Sequence, residues 1–314
     1  MRALITGVSG FCGKHLAALL QAEGNVRIAG SDITERLPED VAVDEYYRAD
    51  VSDLDEISGV IRAFRPDMLF HLAGVSGGSS SAAHQASPRT AFQVNTMGAV
   101  NVLESVRLHM PDCRVLLVGS AAEYGCVPQA ELPVSEERSC RPLGTYGASK
   151  FAATLAGQEY AHKFGLKVVM ARPFNIIGPG MPRELVLGAL THRAKEALAS
   201  SKDVIVKAGD LSAERDFVAV EDVVCAYVRL LQGNYWGEVF NICSGQPHSI
   251  RHAAEILFSH SPRRITLQTD TSLAGSSVHS MCGSFEKAKR AIDYTPSVSL
   301  ESSLAAVWSA AMAA

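Results

Sequence analysis

Met1-Arg2-Ala3-Leu4-Ile5-Thr6-Gly7-Val8-Ser9-Gly10-Phe11-Cys12-Gly13 decides the fold. Met1–Thr6 reads as a short buried strand. Lys14-His15-Leu16-Ala17-Ala18-Leu19-Leu20 reads as a helix, and a glycine turn joins the two. Strand, glycine turn and helix open a dinucleotide-binding βαβ unit. Gly7 permits the tight turn, Gly10 lets the backbone approach a pyrophosphate, and Gly13 lets the helix pack close to the strand. The helix N-terminus then offers unpaired N–H groups and a positive dipole end to the anion. The spacing is G-x-x-G-x-x-G rather than G-x-G-x-x-G, and a glycine triplet alone marks only a Gly-rich turn. Its place directly after an apolar strand gives the cofactor reading its weight.

Outward from this turn, apolar runs alternate with helical patterns. The runs are Ala3–Ile5, Val26–Ala29, Met68–Leu72, Arg114–Val118 and Lys167–Ala171. Helical patterns lie at 12–22, 53–64, 88–110 and 146–164. Such alternation predicts an α/β fold, a Rossmann-type doubly wound parallel sheet with helices on both faces. Ligands then bind beyond the carboxyl ends of the strands, where strand order reverses. After Arg172 the pattern loosens, broken by Pro173, Gly178-Pro179-Gly180 and Pro182. Helices are expected at 184–200, 220–231, 250–259, 285–292 and from 300, with strands at 204–207 and 239–243. The division expected is a cofactor-binding domain over 1–175 and a smaller α/β substrate lobe over 176–314, partly interleaved with it. Gly77-Gly78-Ser79-Ser80-Ser81 reads as a flexible loop at a strand end, and His84 within that loop as solvated surface, with a contact to substrate as the alternative.

The composition belongs to an ordinary globular protein: 314 residues, 47% apolar, 20% charged. A net charge of −4 gives no electrostatic footprint for nucleic acid, and no Lys/Arg block suggests a membrane surface. No apolar run approaches the ~20 residues of a membrane span. The strand begins within two residues of Met1, which leaves no room for a signal peptide. Seven scattered cysteines, with no C-x-x-C pair, argue against a disulfide framework and against a metal site. A cytoplasmic protein with reduced thiols is the expectation.

The second strand ends at Asp32, about 20 residues past the glycines. An acid there binds the adenosine ribose hydroxyls and repels a 2′-phosphate, which favours NAD(H); the plain alternative is a turn residue. Arg36 is near enough in sequence to partner a phosphate, so NADP(H) stays open. Asp50-Val51, at the next strand end, is placed to meet the adenine amino group and cover the ring. Tyr146-Gly147-Ala148-Ser149-Lys150 sets a phenol and an ammonium four apart on one helix face. A tyrosine near pKa 10 is a poor acid or base at neutral pH unless a cation stabilises the phenolate. Lys150 is that cation, and it can also reach the nicotinamide ribose. Ser120, just after a strand end, offers a hydroxyl to polarise a carbonyl.

Taken together, Gly7-x-x-Gly10-x-x-Gly13, Asp50-Val51, His71-Leu72-Ala73-Gly74, Asn95, Ser120 and Tyr146-x-x-x-Lys150 resemble the extended short-chain dehydrogenase/reductase family over nearly the whole chain. The resemblance implies a Rossmann fold, a C-terminal nucleotide-sugar lobe and a Ser120-Tyr146-Lys150 catalytic group. It also implies cofactor contacts at Phe11, Cys12, Leu72, Ala73, Gly74, Asn95 and Arg172, and a homodimer through the helices at 88–110 and 146–164. Dehydratases of this family carry an acid and a glutamate base just after the catalytic hydroxyl. Here Ala121 and Ala122 hold those places, and Glu123 falls one residue late, with its side chain pointing elsewhere. Alanines cannot move protons, so dehydration is disfavoured.

Ala171–Gly180, Gly209–Phe217 and Val239–Gly245 resemble segments of reductases acting on GDP-4-dehydro-6-deoxy-D-mannose. By that resemblance the substrate is a 4-keto nucleotide sugar, Asn175 meets its sugar-proximal phosphate and Arg215 its diphosphate. Relatives carry a further arginine near 273–282, a stretch that has no Lys or Arg here. Either Arg183, Arg263 or Arg264 substitutes, or the substrate carries less negative charge than a sugar diphosphate. An epimerase that keeps its NAD tightly bound is the alternative reading. A non-catalytic nucleotide sensor is a third, which the retained Ser120, Tyr146 and Lys150 argue against.

Overall fold

The computed structural model describes residues 1–75, 87–200, 204–270 and 278–313. Gly77–Ser81 and His84 lie outside the described residues. The chain opens with β1 (Arg2–Thr6), α1 (Phe11–Glu23), β2 (Arg27–Asp32), β3 (Glu45–Arg48), α2 (Leu54–Phe64) and β4 (Met68–His71). Next come α3 (Pro88–Ala91), a π-helical turn over Phe92–Met97, α4 (Gly98–His109) and β5 (Arg114–Val118). A 3₁₀ turn at Ala121–Tyr124 leads towards α5 (Thr145–Phe164) and β6 (Lys167–Pro173). The remainder is β7 (Asn175–Ile177), α6 (Val186–Ser200), β8 (Val204–Ala208), β9 (Glu214–Ala219), α7 (Val220–Gln232), β10 (Val239–Ile242), β11 (Pro247–Ser249), α8 (Ile250–Ser259), β12 (Ile265–Thr269), β13 (Ser280–Met281), α9 (Glu286–Ile292) and α10 (Leu300–Ala313).

Seven strands form the main sheet in the order β10-β6-β5-β4-β1-β2-β3, and every pairing is parallel. The order reverses between β1 and β4, so the glycine turn sits at the switch point. Both faces of a parallel sheet must be covered. One face packs Leu16 and Leu20 of α1 with Val223, Val224, Tyr227 and Leu231 of α7. The other packs Ile57 and Ile61 of α2 with Val102, Leu103 and Val106 of α4. A separate core, including Leu190, Val206, Phe217, Leu257 and Trp308, holds the smaller lobe together. There β9 is flanked by β7, β11 and β13, and β8 pairs with β12.

The expected strands and helices of the first 175 residues are present, with two refinements. The helix expected over 88–110 is interrupted by the π turn. β3, Glu45-Tyr46-Tyr47-Arg48, has no apolar run to reveal it because it is a half-exposed edge strand. The interleaving is also larger than a boundary at 175/176 suggests. Residues 220–242 return to the main sheet, with α7 covering it and β10 forming its edge.

Candidate active site

The site is built where β1, β4 and β5 end. Gly7 adopts φ +72°, and a Cβ there would fall 2.6 Å from Ala73 N, across the switch point. A Cβ on Gly13 would fall 2.4 Å from Gly7 O. No other residue fits at either position. α1 starts after Gly10 with no side-chain cap and no acid in its first turn, which leaves its N–H groups for an anion. This uncapped helix end on a backbone cradle that a Cβ would fill fits a dinucleotide pyrophosphate. Phe11 and Cys12 follow in the first turn. Burial pushes the Cys12 thiol up to about 12, so it stays neutral.

Asp32 closes β2. Its carboxylate accepts from Ser9 N at 3.1 Å and from Ile33 N at 2.8 Å, tying it to the glycine turn. Arg36 lies exposed in the following segment. Asp50 accepts from Ser52 N at 2.8 Å. Val51, expected to cover an adenine ring, instead seats its side chain in the core beneath α4: a Cβ on Gly98 would lie 2.8 Å from Val51 Cγ2.

Beyond β4, a Cβ on Gly74 would lie 2.9 Å from Asn95 Oδ1 and 3.1 Å from Lys150 Nζ, so a side chain there would push on the ends of both. Leu72 N and Ala73 N donate to Thr6, at its carbonyl and its hydroxyl. His71 Nδ1 is 2.8 Å from Thr6 Oγ1, and its Nε2 has no partner among the described residues. Burial drops the His71 pKa to about 3, with help from the Lys150 charge. The imidazole stays neutral at physiological pH, and its place is structural. The π turn points Asn95 inward. Its Oδ1 accepts from Val75 N at 2.9 Å, and its Nδ2 donates to Val75 O at 3.1 Å and to Ser149 Oγ at 3.0 Å. One amide therefore joins the β4 loop to α5, beside Lys150.

On α5, Lys150 is buried and donates from Nζ to Val118 O at 3.0 Å. Burial lowers its pKa to about 8, against the opposing pull of Glu123 and Cys12. The Ser120 hydroxyl stands at the Tyr146 phenol. Burial raises the tyrosine pKa and the Ser120 bond lowers it. The cation expected to steady the phenolate thus rests on the Val118 carbonyl, while Ser120 is the group at the phenol. Ser120 stands at the Tyr146 phenol, and Lys150 follows one turn later on α5.

Arg172, expected against the cofactor, is corrected by the structure. Its Nε donates to Glu123 Oε2 at 2.7 Å, its guanidinium lies over the Tyr124 ring, and both members of the ion pair are almost wholly buried. Burial works against the guanidinium charge; Glu123 outweighs it and holds the arginine above its ordinary value. Glu123 itself turns into the core and is wholly buried. Sequence reasoning misses what it does there. It accepts from Ser120 N at 2.8 Å and, through both oxygens, from Thr154 Oγ1 at 3.1 Å. The signal is present in the sequence, since Ser120-Ala121-Ala122-Glu123 is a capping box.

On the smaller lobe, Asn175 Nδ2 donates to Asp216 O at 3.2 Å, bridging β7 to β9. Arg215 does not stand open for a diphosphate: its guanidinium donates to the Glu214, Val278 and His279 carbonyls. Arg183 is exposed before α6. Arg263 bonds the Leu198 carbonyl, and with Arg264 it lines a cleft beside Arg251, Glu255 and Phe258 that includes no site residue. Residues 273–277 of the stretch lacking the arginine lie outside the described residues. Among the described residues, no group of three or more His, Cys, Asp or Glu is arranged to hold a metal ion, and no helix is long and apolar enough to cross a membrane.

Comparison with known proteins agrees with this geometry. Residues 3–243 match the model of the NAD dependent epimerase/dehydratase family. The chain is 30% identical to the GDP-6-deoxy-D-mannose reductase of Pseudomonas aeruginosa, over 98% of this chain and 96% of that protein. Among solved structures it is similar to RMD from Pseudomonas aeruginosa complexed with NADPH, with TM-score 0.84, 30% identity and 99% of each chain covered. It is also similar to the UDP-glucose 4-epimerase of Thermus thermophilus in complex with NAD, with TM-score 0.86, 26% identity and 100% of each chain covered. With its glycine cradle at the switch point and its Ser-Tyr-Lys group, the chain belongs to the NAD-dependent epimerase/dehydratase family.

Proposed function

We propose that the protein is an NAD(P)-dependent oxidoreductase that reduces a 4-keto nucleotide sugar, namely GDP-4-dehydro-6-deoxy-D-mannose to GDP-6-deoxy-D-mannose. The observation that carries this is the Ser120–Tyr146 pair beside Lys150, with no acid or base at 121 and 122 and Glu123 turned into the core. Hydride addition to a ketone needs one proton delivered to oxygen and nothing more, and this site supplies that. The likeness to the Pseudomonas reductase over nearly the full length of both chains supports the substrate.

The bound nicotinamide supplies the hydride. Gly7, Gly10 and Gly13 with the N-terminus of α1 hold the pyrophosphate, Asp32 the adenosine ribose, and Asp50 the adenine side. Asp32 favours NAD(H) by repelling a 2′-phosphate. Tyr146 delivers a proton to the carbonyl oxygen, Ser120 hydrogen-bonds the developing alkoxide, and Lys150 holds the ribose and favours the phenolate that remains. Asn95 fixes the loop and helix between which Lys150 sits. Asn175 and Arg183 face the nucleotide-sugar phosphates.

Exposed apolar side chains support a homodimer: Phe92 and Met97 on the π turn, Leu108 on α4, and Leu155 and Phe164 on α5 are each over two-fifths exposed. These are the two helices that the family resemblance assigns to an interface. Free thiols at all seven cysteines suit the cytoplasm.

Likeness to the Thermus epimerase over the whole of both chains favours a second reading, an epimerase with retained NAD. Denaturing the purified protein and assaying the released nucleotide separates the two. The reductase takes cofactor from solution and oxidises it in step with product. Stoichiometric bound NAD, with turnover and no net oxidation, would establish the epimerase instead.

A further inference from the structure

We propose that Glu123 is a positioning residue for the reaction: its wholly buried carboxylate locks the Ser120 loop to the helix that carries Tyr146 and Lys150. This rests on the ketoreductase reading for the activity it affects, but the lock itself is a property of the free protein.

The geometry is specific. One oxygen accepts from Ser120 N at 2.8 Å, so the carboxylate fixes the backbone of the residue whose hydroxyl meets Tyr146. Both oxygens accept from Thr154 Oγ1. Thr154 stands four residues after Lys150 and eight after Tyr146 on α5, on the same helix face. The second oxygen is anchored by Arg172 at the end of β6, the strand beside β5. Arg172 also donates to Tyr124 Oη, and Tyr124 donates to Asn241 on β10. The carboxylate therefore joins β5's loop, α5 and β6 through a single buried group. The loop is shaped around it, since a Cβ on Gly119 would lie 2.2 Å from Glu123 Oε1. A carboxylate serving only as Arg172's counter-ion would not need Ser120 N and Thr154.

The charge has a second consequence. Glu123, Cys12 and His71 are coupled to Lys150 by charge, and the Tyr146 phenol stands one turn before it on α5. Burial opposes the Lys150 charge, and Glu123 is the largest influence supporting it, ahead of Cys12. The same charge acts on Tyr146 and raises its pKa.

Two variants test the proposal. Glu123→Gln removes the charge. Thr154→Val cuts the tie to α5 while leaving the Glu123–Arg172 pair intact, and it serves if the first fails to fold. In cofactor-free protein carrying lysine labelled with ¹³C at Cε, the Lys150 resonance, assigned by its loss in Lys150→Arg, is titrated by NMR. Glu123→Gln is expected to move that midpoint down from about 8. In the reductase assay, both folded variants are expected to lose about 10- to 100-fold in kcat with little change in KM, as a displaced catalytic group does. A merely structural role would lower melting temperature and leave the Lys150 midpoint in place. An unmoved midpoint in Glu123→Gln, or wild-type kcat in folded Thr154→Val, would overturn the proposal. If the wild type lacks reductase activity, the ketoreductase reading fails, and the NMR titration still decides the lock.

Discussion

Gly13 and Lys150 show what single residues do in this protein. Gly13 has no room for a methyl group, because the new carbon would meet the backbone of Gly7 and Val8 at 2.4 to 2.7 Å. Gly13→Ala is therefore expected to weaken NADH binding at least about tenfold, as a shift of more than about 1.4 kcal/mol would; quenching of protein fluorescence by NADH measures it. Lys150 predicts a pH dependence. Its pKa is lowered to about 8 by burial, so it is charged below that value and loses its charge as pH rises through it. Every step that uses the ammonium weakens on the alkaline side. The kcat/KM for NADH, which reports groups of the free enzyme, should fall above about pH 8, and Lys150→Met should remove that limb. Most of these residues are legible from spacing, because glycines at close approaches and a Tyr-Lys pair one turn apart carry their own geometry. Arg172 is not. A family segment places an arginine near a site, but whether it faces ligand or core depends on Glu123, forty-nine residues away in sequence.

At the scale of elements, α5 is the frame of the site. Its four-residue spacing sets Tyr146, Lys150 and Thr154 on one face, and Ser149 meets Asn95 beside them. The π turn before α4 is what aims Asn95 inward, a use of this rare turn that recurs at functional sites. Asn95→Ala would leave the half-buried Val75 N–H and C=O without these partners. A loss of about 1–3 kcal/mol in stability is expected, read from urea unfolding. Periodicity reveals the long helices and the buried strands, since both follow from repeated apolar positions. It cannot show the π turn, which leaves the apolar pattern of 88–110 unbroken. Nor can it show the half-exposed β3 or the three-residue strands β7 and β11, which are too short to leave a pattern.

The whole molecule is two cores joined by a chain that crosses between them more than once. α7 and β10 belong to the cofactor sheet although they follow the first strands of the smaller lobe. Long-range pairing of this kind is invisible to a reading in chain order, which is why a single boundary at 175/176 understates it. At the same scale, the apolar side chains on α4 and α5 are expected to be covered by a second copy. Leu155→Glu with Phe164→Glu should convert a dimer to a monomer in light scattering; an unchanged mass would remove these helices as the interface. The central claim is hydride delivery to a keto sugar nucleotide. GDP-4-dehydro-6-deoxy-D-mannose should be incubated with NADH, and with NADPH, each dideuterated at the reactive nicotinamide carbon, and the product followed by mass spectrometry and NMR. The account predicts one deuterium at C4 of the sugar, matched by one equivalent of oxidised cofactor, and loss of both in Tyr146→Phe. Absence of deuterium transfer from either cofactor would contradict it.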